Sequence, residues 1–174
     1  LDPEVTFTLP DHQIACGLAD TFVHVMEQYM TTPGQSRLMD RWAESILQTL
    51  IEIAPKIREN KTDYQLMADF MLSATMALNG FIAMGVSQDW ATHMIGHELT
   101  ALHGIDHAQS LAIVLPGTMK VLQTQKAEKI LQYGARVWGI LQGDDNQRIT
   151  KSIEATETFF RSLGLATRLS QLQI

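Results

Sequence analysis

The chain of 174 residues, 45% hydrophobic and 18% charged, has the size and apolar content of one compact domain and no room for a second full one. Thirteen Lys and Arg against nineteen Asp and Glu leave a net charge of −6 without any basic run, which excludes the electrostatic footprint of a nucleic-acid or anionic-membrane partner. No apolar stretch reaches the ~20 residues of a membrane span, the start is unlike a signal peptide, and a single cysteine, Cys16, excludes a disulfide framework or multi-cysteine cluster, so a soluble protein of the reducing cytoplasm is expected.

Residues 1–10, with Pro3 and Pro10, read as an extended linker leading in from a preceding domain. After Pro10, the three- and four-residue recurrence of Ile14, Leu18, Phe22, Val25, Met26 and Tyr29 predicts a helix from about Asp11 to Met30. Thr31-Thr32-Pro33-Gly34 stops it, and Leu38, Trp42, Ile46, Leu50 and Ile53 define the buried stripe of a second helix ending at Pro55. Thr62 and Gln65 have capping-box spacing and open a helix to about Met84, whose small face of Ala68, Ser73, Ala74, Ala77, Gly80 and Ala83 suits a central position. Ser87 is placed to cap a helix over Asp89 to Leu102, Gly104 to end it, and Asp106 to cap the next one up to Pro116. Amphipathic helices over Ala127 to Leu141 and Asp145 to Leu163 follow, the second closed by Gly164. The class is all-α, a helical bundle over residues 11–174 that ends on Leu172 and Ile174 as though cut within a longer protein.

The chemistry concentrates in two places. Asp20 and His24 stand at i and i+4, one turn apart on one helix face, where both reach one metal ion. Four of six histidines fall between Trp90 and His107, with His93 and His97 sharing a face and His107 beyond the Gly104 turn, able to fold back toward His93. Spacing excludes several familiar readings. His97-Glu98 begins like a zincin motif, but position 101 is Ala101 where the second histidine belongs. Glu-x-x-His pairs of a di-iron bundle, Gly-x-Ser-x-Gly of a serine hydrolase and Gly-x-Gly of a dinucleotide loop are all absent.

The order Asp20-x3-His24, His93-x3-His97 and His107, with Ile95-Gly96-His97 and Ala108-x5-Leu115-Pro116, resembles the helical metal-binding domain of the iron-dependent (group III) alcohol dehydrogenases, a dehydroquinate synthase-like helical bundle. Gln88 to His93 and His103 to Gln109 are similar to the butanol dehydrogenase and NADPH-dependent aldehyde reductase branch. The resemblance implies Asp20, His24, His93 and His107 as ligands of a divalent metal, Fe²⁺ or Zn²⁺, and His97 as a proton relay in the cleft. Glu98 and Ala108 depart from the wider family, which has proline and glycine there; neither is a ligand.

A carboxylate with three imidazoles is a borderline donor set that does not choose between the two metals. The resemblance further implies a metal that polarises a small aldehyde for hydride transfer from NADP(H) or NAD(H), the cofactor being held by a nucleotide-binding domain missing from this sequence. It also implies a homodimer. From the residues alone, a non-catalytic helical metal-binding or interaction module stands beside that enzyme reading. So does a metal-dependent hydrolase with Glu98 as base, although Glu98 points about 100° away from His97 on a helix. Cys16 reads as a small buried filler, His12 as solvent-facing, and Trp42, Trp138, Phe159 and Phe160 as core.

Overall fold

Helix α1 (Asp11–Tyr29) buries residues on nearly every side, from Ile14 and Leu18 to Val25 and Tyr29, and a helix apolar all round belongs at the centre of a bundle. The computed structural model describes residues 1–174 and contains seven α-helices, two short 3-10 helices and no strand, the all-α class that the patterns predict. Around α1 lie α2 (Arg37–Glu59), α3 (Tyr64–Leu78) and α5 (His107–Val121). Helix α4 (Ala91–His103) packs on α5, while α6 (Ala127–Val137) and α7 (Asp145–Ser162) pair and close the far side. The Phe22 ring of α1 meets those of Phe159 and Phe160 of α7 at 5.0 and 5.6 Å, joining the two halves of the core. No helix is long and apolar enough to cross a membrane.

Several boundaries differ from the sequence reading, each for a local reason. Residues 3–6 form a 3-10 turn rather than an extended segment, with the Asp2 carboxylate accepting from the Glu4 N–H. Helix α2 runs through Pro55 instead of ending there. The ring sits at an exposed position while Ala54 and Ile57 bury the turns on either side, so packing outweighs one lost hydrogen bond. Its buried stripe is Ala43, Leu47, Leu50, Ile53 and Ile57; Leu38 is exposed and Trp42 stacks on Phe81 at the surface, 3.8 Å between centroids. Asp63, not Thr62, caps α3, accepting from Leu66 N–H at 3.1 Å. The helix stops at Leu78 because Gly80 adopts φ 86°, a conformation that glycine alone enters freely. With Leu72 and Leu78 exposed, α3 is a flanking helix, and the central place predicted for it belongs to α1.

Ser87 does not cap α4; it is bound to Gln35, its N–H donating at 2.7 Å and its hydroxyl accepting at 2.9 Å. Asp106 is the N-cap residue of α5, yet its side chain makes no capping bond. Helix α5 continues past Pro116 to Val121, α6 stops at Val137, and Asp144 with Gln147 forms a capping box that opens α7.

Helices α4 and α5, which carry the downstream histidines, meet at Gly96. A Cβ there would lie 2.7 Å from Ser110 Oγ and 2.9 Å from Leu111 Cδ2. Both neighbours are fully buried, and the Ser110 hydroxyl donates to the His107 carbonyl at 2.6 Å. Gly96→Ala is expected to destabilise the protein by about 1–3 kcal/mol through overpacking, measured as the shift of a urea unfolding midpoint; an unshifted midpoint would mean that the two helices separate without cost.

Candidate metal centre

The helical repeat of α1 puts Asp20 and His24 on the face turned toward α4 and α5, as their spacing predicts. His93 sits in the first turn of α4 and His107 is the first residue of α5, so the turn ended by Gly104 returns the chain to the same spot. Asp20, His93 and His107 each bring one donor atom into a group whose members lie within 4.8 Å of one another. Asp20 Oδ1 is 3.4 Å from His107 Nε2 and 3.8 Å from His93 Nε2. Donors on a tetrahedral ion with metal–nitrogen and metal–oxygen bonds of 2.0–2.2 Å are about 3.4 Å apart. The three atoms therefore have the spacing of a coordination shell.

Two of these atoms, Asp20 Oδ1 and His93 Nε2, are buried and have no hydrogen-bond partner. Buried polar atoms are nearly always satisfied, and their joint exception at one point is what a cation would resolve. The donors present thus fit a divalent metal. His24, the fourth predicted ligand, lies beside the group and not within it. Its ring is 4.3 Å from that of His93, and its Nδ1 faces the Asp20 carbonyl oxygen at 2.8 Å. That contact, with Nδ1 donating to the main-chain carbonyl, leaves Nε2 as the ring nitrogen not engaged by the backbone.

His97 is exposed and stacks on His107, with centroids 4.9 Å apart and planes 18° from parallel. Trp90 stands edge-on to His93 and His24 at 5.4 and 5.9 Å, walling the group. Exposed side-chain fractions of 33% for Asp20 and 36% for His107 leave the centre open on one side. A cavity of about 270 Å³ touches both residues there.

Sequence reasoning missed Glu27. Its carboxylate is buried and reaches from α1 to the start of α4, where Oε1 accepts from the Thr92 N–H at 2.6 Å and the His93 N–H at 3.2 Å. Its other oxygen is in close contact with His93 Nδ1. A carboxylate only accepts, so Nδ1 carries the proton and Nε2 is aimed at the centre. The only sign in the sequence is spacing: Asp20, His24 and Glu27 stand at i, i+4 and i+7 on one face of α1, which does not by itself say what Glu27 meets.

Charges follow from the same contacts. Burial disfavours the charged form of His93, but the Asp20 and Glu27 carboxylates overcome it and raise the imidazole to about 9. Burial likewise opposes ionisation of Asp20, and the facing His93, His24 and His107 rings hold its carboxyl below the ordinary range. His107 is lowered, first by burial and then by the neighbouring imidazoles against the pull of Asp20, which favours the neutral ring that a metal requires.

Residues 14–174 match the Fe-containing alcohol dehydrogenase family, C-terminal. Over 170 residues the chain is 54% identical to the NADPH-dependent aldehyde reductase YqhD of Escherichia coli, covering 98% of this chain and 44% of that protein. It is 36% identical over 176 residues to the NADH-dependent butanol dehydrogenase A of Clostridium acetobutylicum, covering all of this chain and 45% of that one. The solved substrate- and cofactor-free form of the E. coli aldehyde reductase superposes over the whole chain with a TM-score of 0.98 at 52% identity, and the match covers 46% of that structure. The chain thus spans less than half the length of these relatives.

Three outcomes are expected, the first of them for the metal-free protein. The His93 ring, titrated by NMR, stays protonated at neutral pH and loses its proton near pH 9. Its ion contacts therefore stabilise the fold fully below the unfolded value of about 6.5 and are lost as pH rises through about 9. Because a ligand must be neutral, Zn²⁺ affinity should rise about tenfold per pH unit toward that point, and a flat profile between pH 6 and 8 would contradict the assignment. Glu27→Gln is expected to weaken Zn²⁺ binding roughly 10–100-fold with helicity retained, measured by calorimetry and circular dichroism.

Proposed function

The chain belongs to the Fe-containing alcohol dehydrogenase family, and from that membership we propose that it is the metal-binding part of an enzyme that interconverts small aldehydes and alcohols using a nicotinamide cofactor. The observation that carries this reading is the convergence of Asp20 Oδ1 with His93 Nε2 and His107 Nε2, two of the three being buried without a partner. Asp20, His93 and His107 would hold the ion, with His24 as fourth ligand once its ring joins them. The donor set suits Fe²⁺ or Zn²⁺ alike. The family match favours iron.

When bound, the metal supplies Lewis acidity that polarises a carbonyl toward hydride attack. The chain's own residues do the rest of the work assigned here. Asp20 contributes the negative charge that offsets the cation, and Glu27 holds His93 in the tautomer with Nε2 free. Trp90 shields the buried side of the group from water. His97 is the proton relay: its exposed imidazole, stacked on His107, exchanges a proton between solvent and the substrate oxygen. Among the relatives, NADPH is named for the aldehyde reductase and NADH for the butanol dehydrogenase. We assign NADP(H) or NAD(H) to a nucleotide-binding domain outside these residues, so that residues 1–10 link it to the helical domain of residues 11–174 and the reacting groups meet in the cleft between them.

The openness at Asp20 and His107 supports this reading over a purely structural metal module, whose site would be closed. Calorimetric titration with Zn²⁺ and, anaerobically, Fe²⁺ tests it. Asp20→Asn and His107→Ala are each expected to lose one equivalent of metal, with helicity the same in the presence and absence of metal. Unchanged uptake in both variants would overturn the ligand set, and collapse of helicity on chelation would favour the structural module. These 174 residues alone are expected to show no aldehyde reduction with NADPH; measurable turnover would refute the division of labour.

A further inference from the structure

One turn before Asp20 on α1, a second group of metal-ligating side chains comes together that the reaction above does not use. His12 Nε2, Cys16 Sγ and an Asp106 carboxylate oxygen lie within 4.8 Å of one another. His12 and Cys16 are i and i+4 on one helix face, and Asp106 arrives from the start of α5. We propose that His12, Cys16 and Asp106 form a second cation site, selective for a borderline-soft divalent ion of the Zn²⁺ or Co²⁺ kind.

Four observations support it. The Cys16 sulfur is 3.5 Å from His12 Nε2, and sulfur and nitrogen donors on a tetrahedral zinc with bonds of 2.3 and about 2.05 Å are separated by about 3.6 Å. His12 Nε2 and Asp106 Oδ2 are 2.6 Å apart, a hydrogen bond that would open by about 0.8 Å to admit the ion. Both side chains are about half exposed, which leaves room on the solvent side for that movement. Asp106 is an N-cap aspartate that makes no cap; its carboxylate turns away from the helix it precedes to face His12 and Cys16. Finally, Cys16 and Asp106 line the cavity of about 270 Å³ that also touches Asp20 and His107, which leaves room for water to complete a three-ligand shell.

The donor set differs in kind from the first centre. One thiolate, one imidazole and one carboxylate select a softer ion than imidazoles and carboxylate alone, and binding must displace the thiol proton. The plain alternative is a surface His12–Asp106 ion pair over a buried thiol.

Titration of the metal-free protein with Co²⁺, followed in the near ultraviolet, separates the two. A thiolate bound to Co²⁺ gives a charge-transfer band that the nitrogen and oxygen donors of the first centre cannot produce. The band is expected to grow with one equivalent of metal and to persist in Asp20→Asn. His12→Ala and Asp106→Asn, both at exposed positions where folding is not at stake, are expected to weaken the metal dependence of the band by more than about tenfold. Absence of the band in the native protein overturns the proposal, and so does a band indifferent to both variants. A band that disappears in Asp20→Asn also overturns it, because Cys16 would then be a ligand of the first centre.

Discussion

The Glu27 carboxylate is the contact on which the candidate metal centre depends. Helix α4 packs on α5, and its hydrogen bonds to α1 all run through this one side chain. Glu27 performs two tasks with one charge. It supplies the N-terminal cap that α4 lacks in its own sequence, since Trp90 stands at the cap position without a capping bond. It also fixes the ring of the histidine in that same first turn. A buried carboxylate is costly unless its oxygens are satisfied, and here two main-chain N–H groups and an imidazole N–H meet it at a positive helix end. The charge that would destabilise an empty core becomes the restraint that aims His93 Nε2.

Much of the fold was legible because the helices of this chain are strongly patterned. The start of α1 after Pro10 and the end of α4 at Gly104 follow from residues whose backbone preferences are local. Errors arose where a distant contact overrode the local signal. Pro55 reads as a stop, yet buried Ala54 and Ile57 carry α2 through it. Ser87 reads as a cap, yet Gln35, 52 residues away in sequence, takes both its groups. The stripe of α2 was misplaced at its N-terminal end because Trp42 is satisfied by stacking on Phe81 outside the core.

The site shows the same division. Asp20, His93 and His107 were identifiable from residue type and order, and the Gly104 turn brings them together. Glu27 was not identified because its role appears only when the first turn of α4, 65 residues later, docks against it. Lys129 is a parallel case away from the site. A lysine in an amphipathic helix reads as solvent-facing, but it is 1% exposed, paired with Asp40 at 2.9 Å and laid over the Tyr29 ring at 3.8 Å. Burial of such groups is set by what the partner helix offers, and no window of local sequence contains that information.

Helix α1 carries both core packing and a row of candidate donors in one element. His12, Cys16, Asp20 and His24 recur every fourth residue, with Glu27 three further on. Each four-residue step advances 400°, so the polar line drifts about 40° per turn around the helix. At its start the line faces the head of α5, where Asp106 and His107 meet Cys16 and Asp20; at its end it faces the head of α4, where Glu27 meets Thr92 and His93. The opposite side of α1 buries Leu18, Phe22 and Met26 in the core, with the Phe22 ring against Phe159 and Phe160 of α7. Core packing therefore holds the donors of α1 in register, and the Glu27 carboxylate, bound to the Thr92 and His93 N–H groups, fixes the head of α4 against them.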